Sequence, residues 1–289
     1  MKSKWEENGF LLVPALIDRA RIVRLRSICD RIRKDWLLCD PLNGLPASDA
    51  GVETCMRHVN HPSYFQNKKT ELCEVLDTCA SEPMLEVVRD CFGEEPMFRS
   101  TSLFFNPTAL WQEGNWHRDT QFVHKDIAQE QAFLALHALK GGDGIQVQIP
   151  LFDSDDLEFI PGSNTRWDTE EELQIRLGDA GAHCRRTMPS GSRITASAGD
   201  GVFFDPNGIH RGRYFPTPVR LTLMTTFTRS SAPPIVDRFS YQPWFLEKGY
   251  LDGVSKGAKR LYDRFVDHYQ SIWSVSRDKL GRLHSGRRS

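Results

Sequence analysis

The middle of the chain is a succession of short β-rich segments, and this pattern constrains the fold more than any other feature. Between residues 96 and 230 the sequence contains PMFRSTSLFF, GIQVQIPLF, LEFIPGS, SRITASAGDGVFFD, IHRGRYF and VRLTLMTTFTR, broken by Gly, Pro, Asn and Asp. Runs of this composition predict an antiparallel all-β core, either a barrel or a jelly roll. The segment WDTEEELQIRL interrupts them and predicts a helix, because its glutamates fall in the first turn, where they favour the helix dipole.

Helical patterns flank this core on both sides. Residues 18–36 carry apolar side chains at three- and four-residue spacing behind a candidate N-cap, Asp18, and KKTELCEVLDTCA and SEPMLEVVRDCFG follow with similar patterns. After residue 240, KGAKRLYDRFVDHYQSIW predicts another helix, which precedes a basic and polar tail. We therefore predict one mainly β domain with flanking helices over residues 1–289. Its parts are a helical region at about 1–95, a β core at about 96–230, and a C-terminal helix and tail at 231–289.

Composition and charge restrict the class of protein. The chain has 289 residues, a net charge of −1 and 26% charged residues, so it is predicted to be globular, with neither nucleic acid nor a membrane as a general partner. The apolar run FLLVPALI is too short to cross a bilayer and has no cleavage site after it, so we expect neither a signal peptide nor a transmembrane helix. The seven cysteines include no CxxC pair, which favours free thiols and a cytoplasmic protein.

One pair of side chains raises the question of chemistry. In GNWHRDTQF, His117 and Asp119 are two positions apart, which is the period of a β-strand, so both would leave the same face. Such a pair is either a surface ion pair or two of the three ligands of a non-haem iron. His210, in the β-like run GDGVFFDPNGIHRG, completes a 2-His-1-carboxylate set. That set suits ferrous iron without excluding Mn, Co, Ni or Zn by affinity alone. Each of the other histidines is interpreted as a satisfied or solvated side chain, because a single histidine is weak evidence for a site.

A charged residue in the next strand suggests an anion site. Arg220 follows His210 by ten positions, across RGRYFPTPV, where the prolines predict a hairpin turn. In VRLTLMTTF, Arg220 and Thr222 alternate with apolar residues and therefore share a face. A guanidinium inside a β-barrel needs an anion to pair with it. The carboxylate of a bound small acid would serve, gripped by Arg220 and hydrogen-bonded by Thr222. A buried structural Arg–Asp pair, for example with Asp205 or Asp200, is the alternative.

Taken together, these motifs resemble the phytanoyl-CoA dioxygenase branch of the Fe(II)/2-oxoglutarate oxygenases. The resemblance rests on WHRD, LEFIPGSNTRW, GDGVFFDPNGIH and VRLTLMTTF, in that order, and covers most of residues 7–229. The opening ENGFLLVPALIDRARIVRLR also resembles the first helices of that family. Two departures concern the substrate region: PGSN stands where the family often has PGSH, and FDSDDLEF lacks the usual Asn-Gly.

The resemblance implies a double-stranded β-helix, the cupin-like jelly roll, with a metal at one mouth. It implies that His117, Asp119 and His210 bind Fe(II) and that Arg220 binds the distal carboxylate of 2-oxoglutarate. The strand GIQVQIPLF matches the one that often lines the cosubstrate site. Gln146 and Gln148, which alternate with apolar residues, are therefore candidate polar contacts beside Thr222.

The implied activity is that of an Fe(II)- and 2-oxoglutarate-dependent dioxygenase. With O2, it would oxidise, and most simply hydroxylate, a small-molecule substrate and release succinate and CO2. Two alternatives remain open. One is a non-haem iron oxygenase that uses no 2-oxoglutarate, in which Arg220 binds a carboxylate of the substrate itself. The other is a non-catalytic jelly-roll binding module. The motifs do not predict the substrate, the carbon that is oxidised or the oligomeric state.

Overall fold

Two antiparallel β-sheets form the centre of the protein. The computed structural model describes residues 1–47, 52–109, 112–124, 126–178, 181–215, 219–234 and 237–275. Its strands are β1 Phe10–Val13, β2 Cys55–Arg57, β3 Pro96–Phe105, β4 Gln112–Glu113, β5 Gly144–Pro150, β6 Ser154–Phe159, β7 Ser192–Ala196, β8 Gly201–Phe204, β9 His210–Tyr214 and β10 Leu221–Arg229. The larger sheet has the order β1-β8-β5-β10-β3-β2, and the smaller sheet has the order β4-β9-β6-β7.

Helices cover the outer face of the larger sheet. Alternate residues of β5 show this arrangement: Ile145, Val147 and Ile149 belong to the main hydrophobic cluster, so Gln146 and Gln148 point to the opposite, inner face. The helices are α1 Lys2–Asn8, α2 Arg19–Leu38, α3 Lys69–Cys79, α4 Glu82–Phe92, α5 Ile127–Lys140, α6 Glu170–Leu173, α7 Ala182–Arg185 and α8 Lys256–Val275. Apolar residues of α2, α3, α4 and α8 pack into that same cluster.

The predicted helices form for the reasons that their sequences indicate. Asp18 caps α2, and its carboxylate accepts a hydrogen bond from the backbone N–H of Arg21 at 2.8 Å. Gly93 ends α4 with φ 72°, a left-handed conformation that glycine adopts without strain. The helix predicted in WDTEEELQIRL is a single α-helical turn, α6, capped by Thr169, and it continues as a π-helical turn at Gln174–Gly178.

Other elements differ from the prediction. β1 lies in the opening segment that resembles the family's first helices, and it forms because it pairs along β8 at the edge of the sheet. β2 and α5 were also not predicted. β9 pairs with β4 and β6, whereas β10 pairs with β3 and β5, so the predicted hairpin between β9 and β10 is wrong. β9 belongs to the smaller sheet and β10 to the larger one. Residues 216–218 and the C-terminal tail at 276–289 lie outside the described residues.

Two further expectations concern the membrane and the thiols. Within the described ranges, no helix is both long enough and apolar enough to cross a bilayer. All seven cysteines are free thiols, and burial raises the pKa of Cys79 to about 12. That thiol is therefore protonated and unreactive at neutral pH.

A buried ion pair joins α5 to the end of β8. His137 Nε2 lies 2.8 Å from Asp205 Oδ2, and the amide of Asn164 donates to that same oxygen at 3.2 Å. Burial by itself would lower the pKa of His137, but the hydrogen bond and charge of Asp205 outweigh it and raise the pKa. The pKa of a histidine in the unfolded chain is about 6.5. Because the pKa of His137 is higher in the folded protein, its contribution to stability is complete below about pH 6.5. That contribution is lost as the pH rises through the pKa of the folded state.

We therefore expect the free energy of unfolding to fall as the pH rises above the pKa of folded His137. Urea unfolding at a series of pH values measures this change. The variant His137→Gln should be less stable at low pH and should lack this part of the pH dependence. An identical pH profile in the variant would show that His137 is not the titrating group.

Candidate metal centre

Backbone pairing brings His117 and His210 together. The N–H of His117 donates to the carbonyl of His210 at 3.0 Å, and the N–H of His210 donates back at 2.9 Å. This isolated β-bridge places the two imidazole centroids 4.3 Å apart. Asp119 joins them, and one ligand atom from each of the three side chains lies within 4.8 Å of the others. The three predicted metal-binding residues therefore form one cluster.

The hydrogen bonds of the two imidazoles leave one nitrogen of each ring available. Nδ1 of His117 lies 2.6 Å from the carbonyl of Asn115, and Nδ1 of His210 lies 2.9 Å from the carbonyl of Gly208. A carbonyl only accepts, so each Nδ1 is the donor and Nε2 of each ring is the nitrogen that faces the cluster, where the Nε2 of His117 lies 3.5 Å from Asp119 Oδ1. Burial, aided by the charge of His117, lowers the pKa of His210 to about 4. His210 is therefore neutral at pH 7, the form that binds metals.

Asp119 reaches the cluster from a turn and not from a strand. It begins the 3-10 turn Asp119–Phe122, and its N–H donates to the carbonyl of Pro206 at 2.9 Å. The predicted strand through His117 and Asp119 is therefore wrong, although both side chains reach one site. Burial would raise the pKa of Asp119, but the hydrogen bond with His117 and the charge of His210 lower it overall. The amide of Gln146 donates to Asp119 Oδ2 at 2.7 Å.

Arg118, between the two clustered residues, is fully buried and ties the site to two loops. Its Nη1 donates to the carbonyls of Ser163 and Asn207, each at 2.6 Å. Its Nε donates to Asp168 Oδ1 at 2.8 Å, and Nη2 lies 2.7 Å from the same oxygen. The segment with His117 and Asp119 is thereby fixed to the PGSN turn and to the loop before His210.

The buried ion network continues from Asp168 to the residue after Asp119. Arg176 donates through Nε to Asp168 Oδ2 at 2.8 Å and through Nη1 to Glu130 Oε1 at 3.0 Å. Thr120 donates to the same Glu130 oxygen at 2.8 Å. With Arg118, two cations and two anions balance in the interior. Sequence reasoning missed all four charged residues, because they lie far apart in the chain and follow no fixed spacing.

Arg220 is buried, and one of its donors lacks a partner. Its Nη1 donates to the carbonyl of Arg213 at 3.0 Å, but its buried Nε finds no hydrogen-bond acceptor among the described residues. The nearest carboxylate oxygen, Asp156 Oδ2, lies 3.7 Å from that Nε, which is too far for a hydrogen bond. The guanidinium stacks on the rings of Tyr214 at 4.6 Å and Phe104 at 5.2 Å.

The structural pair considered for Arg220 does not form with either predicted partner. Asp205 binds His137, and Asp200 accepts hydrogen bonds from the backbone N–H groups of Ala15 and Ser197. The guanidinium instead lies over the backbone of β9. A Cβ atom added to Gly212 would lie 2.7 Å from Arg220 Nη1. Gly212 is two residues from His210 on the same strand, so Arg220 lies beside the cluster.

The sequence of this chain matches a known protein family. The model of the family described as phytanoyl-CoA dioxygenase (PhyH) matches residues 5–217, well over half of the chain. The chain belongs to the phytanoyl-CoA dioxygenase family. No curated protein matches it.

Solved structures confirm the predicted fold class of this phytanoyl-CoA dioxygenase family member. AviO1 from Streptomyces viridochromogenes Tue57 is 18% identical to this chain and superposes with a TM-score of 0.54. The match covers 81% of this chain and 96% of the AviO1 chain. EctD from S. alaskensis, solved with 2-oxoglutarate and 5-hydroxyectoine, is 17% identical, with a TM-score of 0.53. The match covers 89% of this chain and 85% of the EctD chain. The non-heme alpha ketoglutarate dependent epimerase SnoN from nogalamycin biosynthesis is 11% identical, with coverage of 80% and 81% and a TM-score of 0.52.

The remaining candidate residues of this phytanoyl-CoA dioxygenase family member lie on the inner face of the larger sheet. Gln148 pairs in register with Met224, and Thr222 pairs with Pro150; the side chains of Gln148 and Thr222 are both buried. Gln146 is engaged with Asp119, as described above. The two glutamines therefore have different surroundings. Gln146 is hydrogen-bonded to Asp119, whereas Gln148 is buried further along the sheet.

The departure from the family turn, Asn164 in PGSN, has a local structural reason. Its amide donates to Asp205, and its Oδ1 would lie 2.3 Å from a Cβ atom added to Gly9, where φ is 72°. Asn164 therefore packs on the glycine that ends α1 and completes the Asp205 cluster.

Proposed function

We propose that this protein is an Fe(II)- and 2-oxoglutarate-dependent oxygenase that hydroxylates a small molecule. The observation that carries the proposal is the cluster of His117, Asp119 and His210, in which two imidazoles each turn Nε2 towards a carboxylate. Two nitrogens and one hard oxygen are the donor set of the facial triad of ferrous oxygenases. Family membership supports the same class, and the structures of SnoN with Fe3+ and alpha ketoglutarate and of EctD with bound Fe share this fold.

In the proposed reaction the balance is substrate C–H plus O2 plus 2-oxoglutarate, giving substrate C–OH plus succinate plus CO2. The bound iron with its cosubstrate would supply the oxidation. The chain supplies the geometry: His117, Asp119 and His210 hold the metal, and Gln146 fixes the rotation of the Asp119 carboxylate. Arg118 anchors the segment that carries His117 and Asp119 against movement.

We assign the distal carboxylate of 2-oxoglutarate to Arg220. A buried guanidinium with an unpaired Nε is costly unless an anion completes its hydrogen bonds. Burial raises the pKa of Asp156, the nearest acid, although Arg220 opposes this effect. Asp156 Oδ2, at 3.7 Å from Arg220 Nε, leaves that donor without a hydrogen bond. Thr222 and Gln148, on the same inner face, are the candidate hydrogen-bond partners of the cosubstrate.

Replacing Arg220 by Ala should weaken 2-oxoglutarate binding by about 30- to 1000-fold. Removing one partner of a charge-assisted pair in a partly dry site costs about 2–4 kcal/mol, and each 1.4 kcal/mol is a factor of ten. The measurement is calorimetric titration of 2-oxoglutarate into the Mn(II)-loaded protein. Metal affinity should change little. Arg213→Ala, a nearby arginine paired with Glu113, is the control and should leave the titration unchanged. An equal affinity in Arg220→Ala would favour the alternatives in which this arginine holds a substrate carboxylate or has a structural role.

A second variant displaces the guanidinium without removing it. In Gly212→Ala, the new methyl group would lie 2.7 Å from Arg220 Nη1, so the side chain of Arg220 must move. Overpacking of this kind costs about 1–3 kcal/mol, which predicts about a tenfold weaker binding of 2-oxoglutarate. Gly257→Ala is the matched control, because its Cβ atom would meet no heavy atom nearer than 3.8 Å. Equal affinity in both variants would place the cosubstrate elsewhere.

The two glutamines should have separable roles. Gln146→Leu removes the hydrogen bond to Asp119 and should weaken metal binding by about 10- to 100-fold, as is usual for residues that orient a metal ligand. Gln148→Leu should leave metal binding unchanged and weaken 2-oxoglutarate binding. Mn(II) titration followed by electron spin resonance measures the first effect. Equal metal affinities in the two variants would contradict the assignment of Gln146.

The class of reaction is tested by product formation. We expect the Fe(II)-loaded protein to consume 2-oxoglutarate and release succinate when it is supplied with its substrate from a library of small metabolites. Oxidation of a metabolite without succinate would support the oxygenase that uses no 2-oxoglutarate. Binding of a metabolite without turnover, in protein shown to hold iron, would support the binding module. Product mass spectrometry distinguishes hydroxylation, which adds one oxygen atom, from epimerisation or ring closure.

A further inference from the structure

Helix α5 packs its two titratable side chains against the protein and leaves an apolar side exposed to solvent. Glu130, Leu134 and His137, spread over two turns, are buried, whereas Leu139 is 85% exposed and Ile127 and Leu136 are each 47% exposed. An amphipathic surface helix normally shows the opposite arrangement. Of the fourteen exposed large hydrophobic side chains in the described residues, five lie between residues 122 and 139, so the exposure is concentrated in this segment.

The rotation of α5 is fixed by its polar contacts. Glu130 accepts hydrogen bonds from Thr120 and Arg176, and His137 pairs with Asp205. Turning the helix to bury Leu136 and Leu139 would expose Leu134 and would take Glu130 and His137 away from their interior partners, at a cost that apolar burial does not recover. The outward direction of the apolar side is therefore a stable property of the fold.

The outward side carries no charge along the length of the helix. Glu130 and His137 are the only titratable side chains between Asp126 and Lys140, and both point inward. The fourteen residues of α5 span about 21 Å at 1.5 Å per residue. An uncharged apolar surface of this length marks a site of interaction. A helix is convex, whereas small-molecule sites are concave, so the occupant is a macromolecule.

The pattern of residue sizes on this side is complementary to itself. Ala128, Ala132, Ala135 and Leu139 are exposed and lie on one side of the helix. When two copies of α5 pack antiparallel about a two-fold axis at the middle of the helix, Leu139 faces Ala128 and Ala132 faces Ala135. Each large side chain then meets a small one, and alanines at the centre allow close helix packing.

The charges at the two ends of α5 fit the same arrangement. Asp126 precedes the helix and Lys140 ends it, so an antiparallel pair brings the acid of one copy near the base of the other. An anionic membrane fits less well, because interfacial helices carry several basic residues along the polar side, and α5 carries only Lys140. We propose that the exposed side of α5 is the interface between two copies of this chain, related by a two-fold axis.

One helix pair with its neighbouring residues is smaller than the interface of a permanent dimer, so we expect a reversible dimer. Sedimentation velocity of the full chain, from about 1 to about 100 µM, should show conversion from monomer to dimer. Leu139→Glu should weaken dimerisation by at least about tenfold, because it places two charges in an apolar interface. Leu38→Glu is the control: Leu38 is 75% exposed at the end of α2 and should leave dimerisation unchanged.

A swap of residue sizes tests the pairing itself. Leu139→Ala and Ala128→Leu should each weaken the dimer, the first by leaving a gap and the second by a clash. The double variant should restore it, because the large and small partners merely exchange across the axis. A wild-type protein that stays monomeric at the highest concentration, a dimer insensitive to Leu139→Glu, or a double variant no better than the singles would each overturn the proposal. Monomers that bind phosphatidylcholine vesicles through Leu139 would identify a membrane as the occupant instead.

Discussion

Replacing His210 by Ala should abolish both iron binding and turnover while leaving the fold intact. His210 supplies one of three ligand atoms in the proposed site, and two remaining ligands bind a ferrous ion weakly. The fold should survive because the neutral ring leaves no charge behind, and its one backbone partner is the carbonyl of Gly208. Iron analysis, succinate release and circular dichroism measure the three quantities. His61→Ala, which removes a histidine outside the cluster, is the control. Stoichiometric iron and normal turnover in His210→Ala would show that the ligand set is wrong.

Replacing Arg118 by Met should lower the free energy of unfolding by about 3–5 kcal/mol, because the loss of one partner leaves the buried carboxylate of Asp168 short of a counterion. The carbonyls of Ser163 and Asn207 would also lose their donor. Urea unfolding measures the change. Arg24→Met is the matched control: Arg24 pairs with Glu74 on the surface, and such pairs contribute about 0–1 kcal/mol. Similar losses in the two variants would mean that the buried network does not stabilise the fold.

The same variant separates stability from chemistry. Arg118 contacts neither of the neighbouring cluster members through its side chain, yet it fixes the backbone between them to two loops. In the folded fraction of Arg118→Met, metal binding should weaken because His117 and Asp119 lose their fixed spacing. Metal titration below the unfolding transition tests this consequence independently of the loss of stability.

The sheets could be predicted where local pattern and long-range pairing agree. In β5 and β10, polar and apolar residues alternate, and the structure places the apolar ones under the helices. β1 and β2 escaped prediction because a run of three or four residues has no reliable period, and both strands form only by pairing with distant segments. Their positions depend on contacts that no local window contains.

The functional site, too, could be predicted from the sequence only in part. The family motifs identified His117, Asp119 and His210, yet the strand argument for the first two was wrong, because a β-bridge and a 3-10 turn bring them together. The buried pairs that hold this geometry could not be read from spacing, since Arg118 and Asp168 are 50 residues apart. α5 was missed for a different reason: most of its apolar residues point outward, so the spacing of apolar residues does not indicate which side packs on the protein.

In the proposed enzyme, His117, Asp119 and His210 bind Fe(II), and 2-oxoglutarate joins the same metal. The most direct measurement is the visible spectrum of the Fe(II)-loaded protein under anaerobic conditions as 2-oxoglutarate is added. We predict a metal-to-ligand charge-transfer band that grows to saturation in the wild type, requires a higher concentration in Arg220→Ala and is missing in His210→Ala. A wild-type spectrum that does not change, although iron is bound, or a band that persists in His210→Ala would contradict the account.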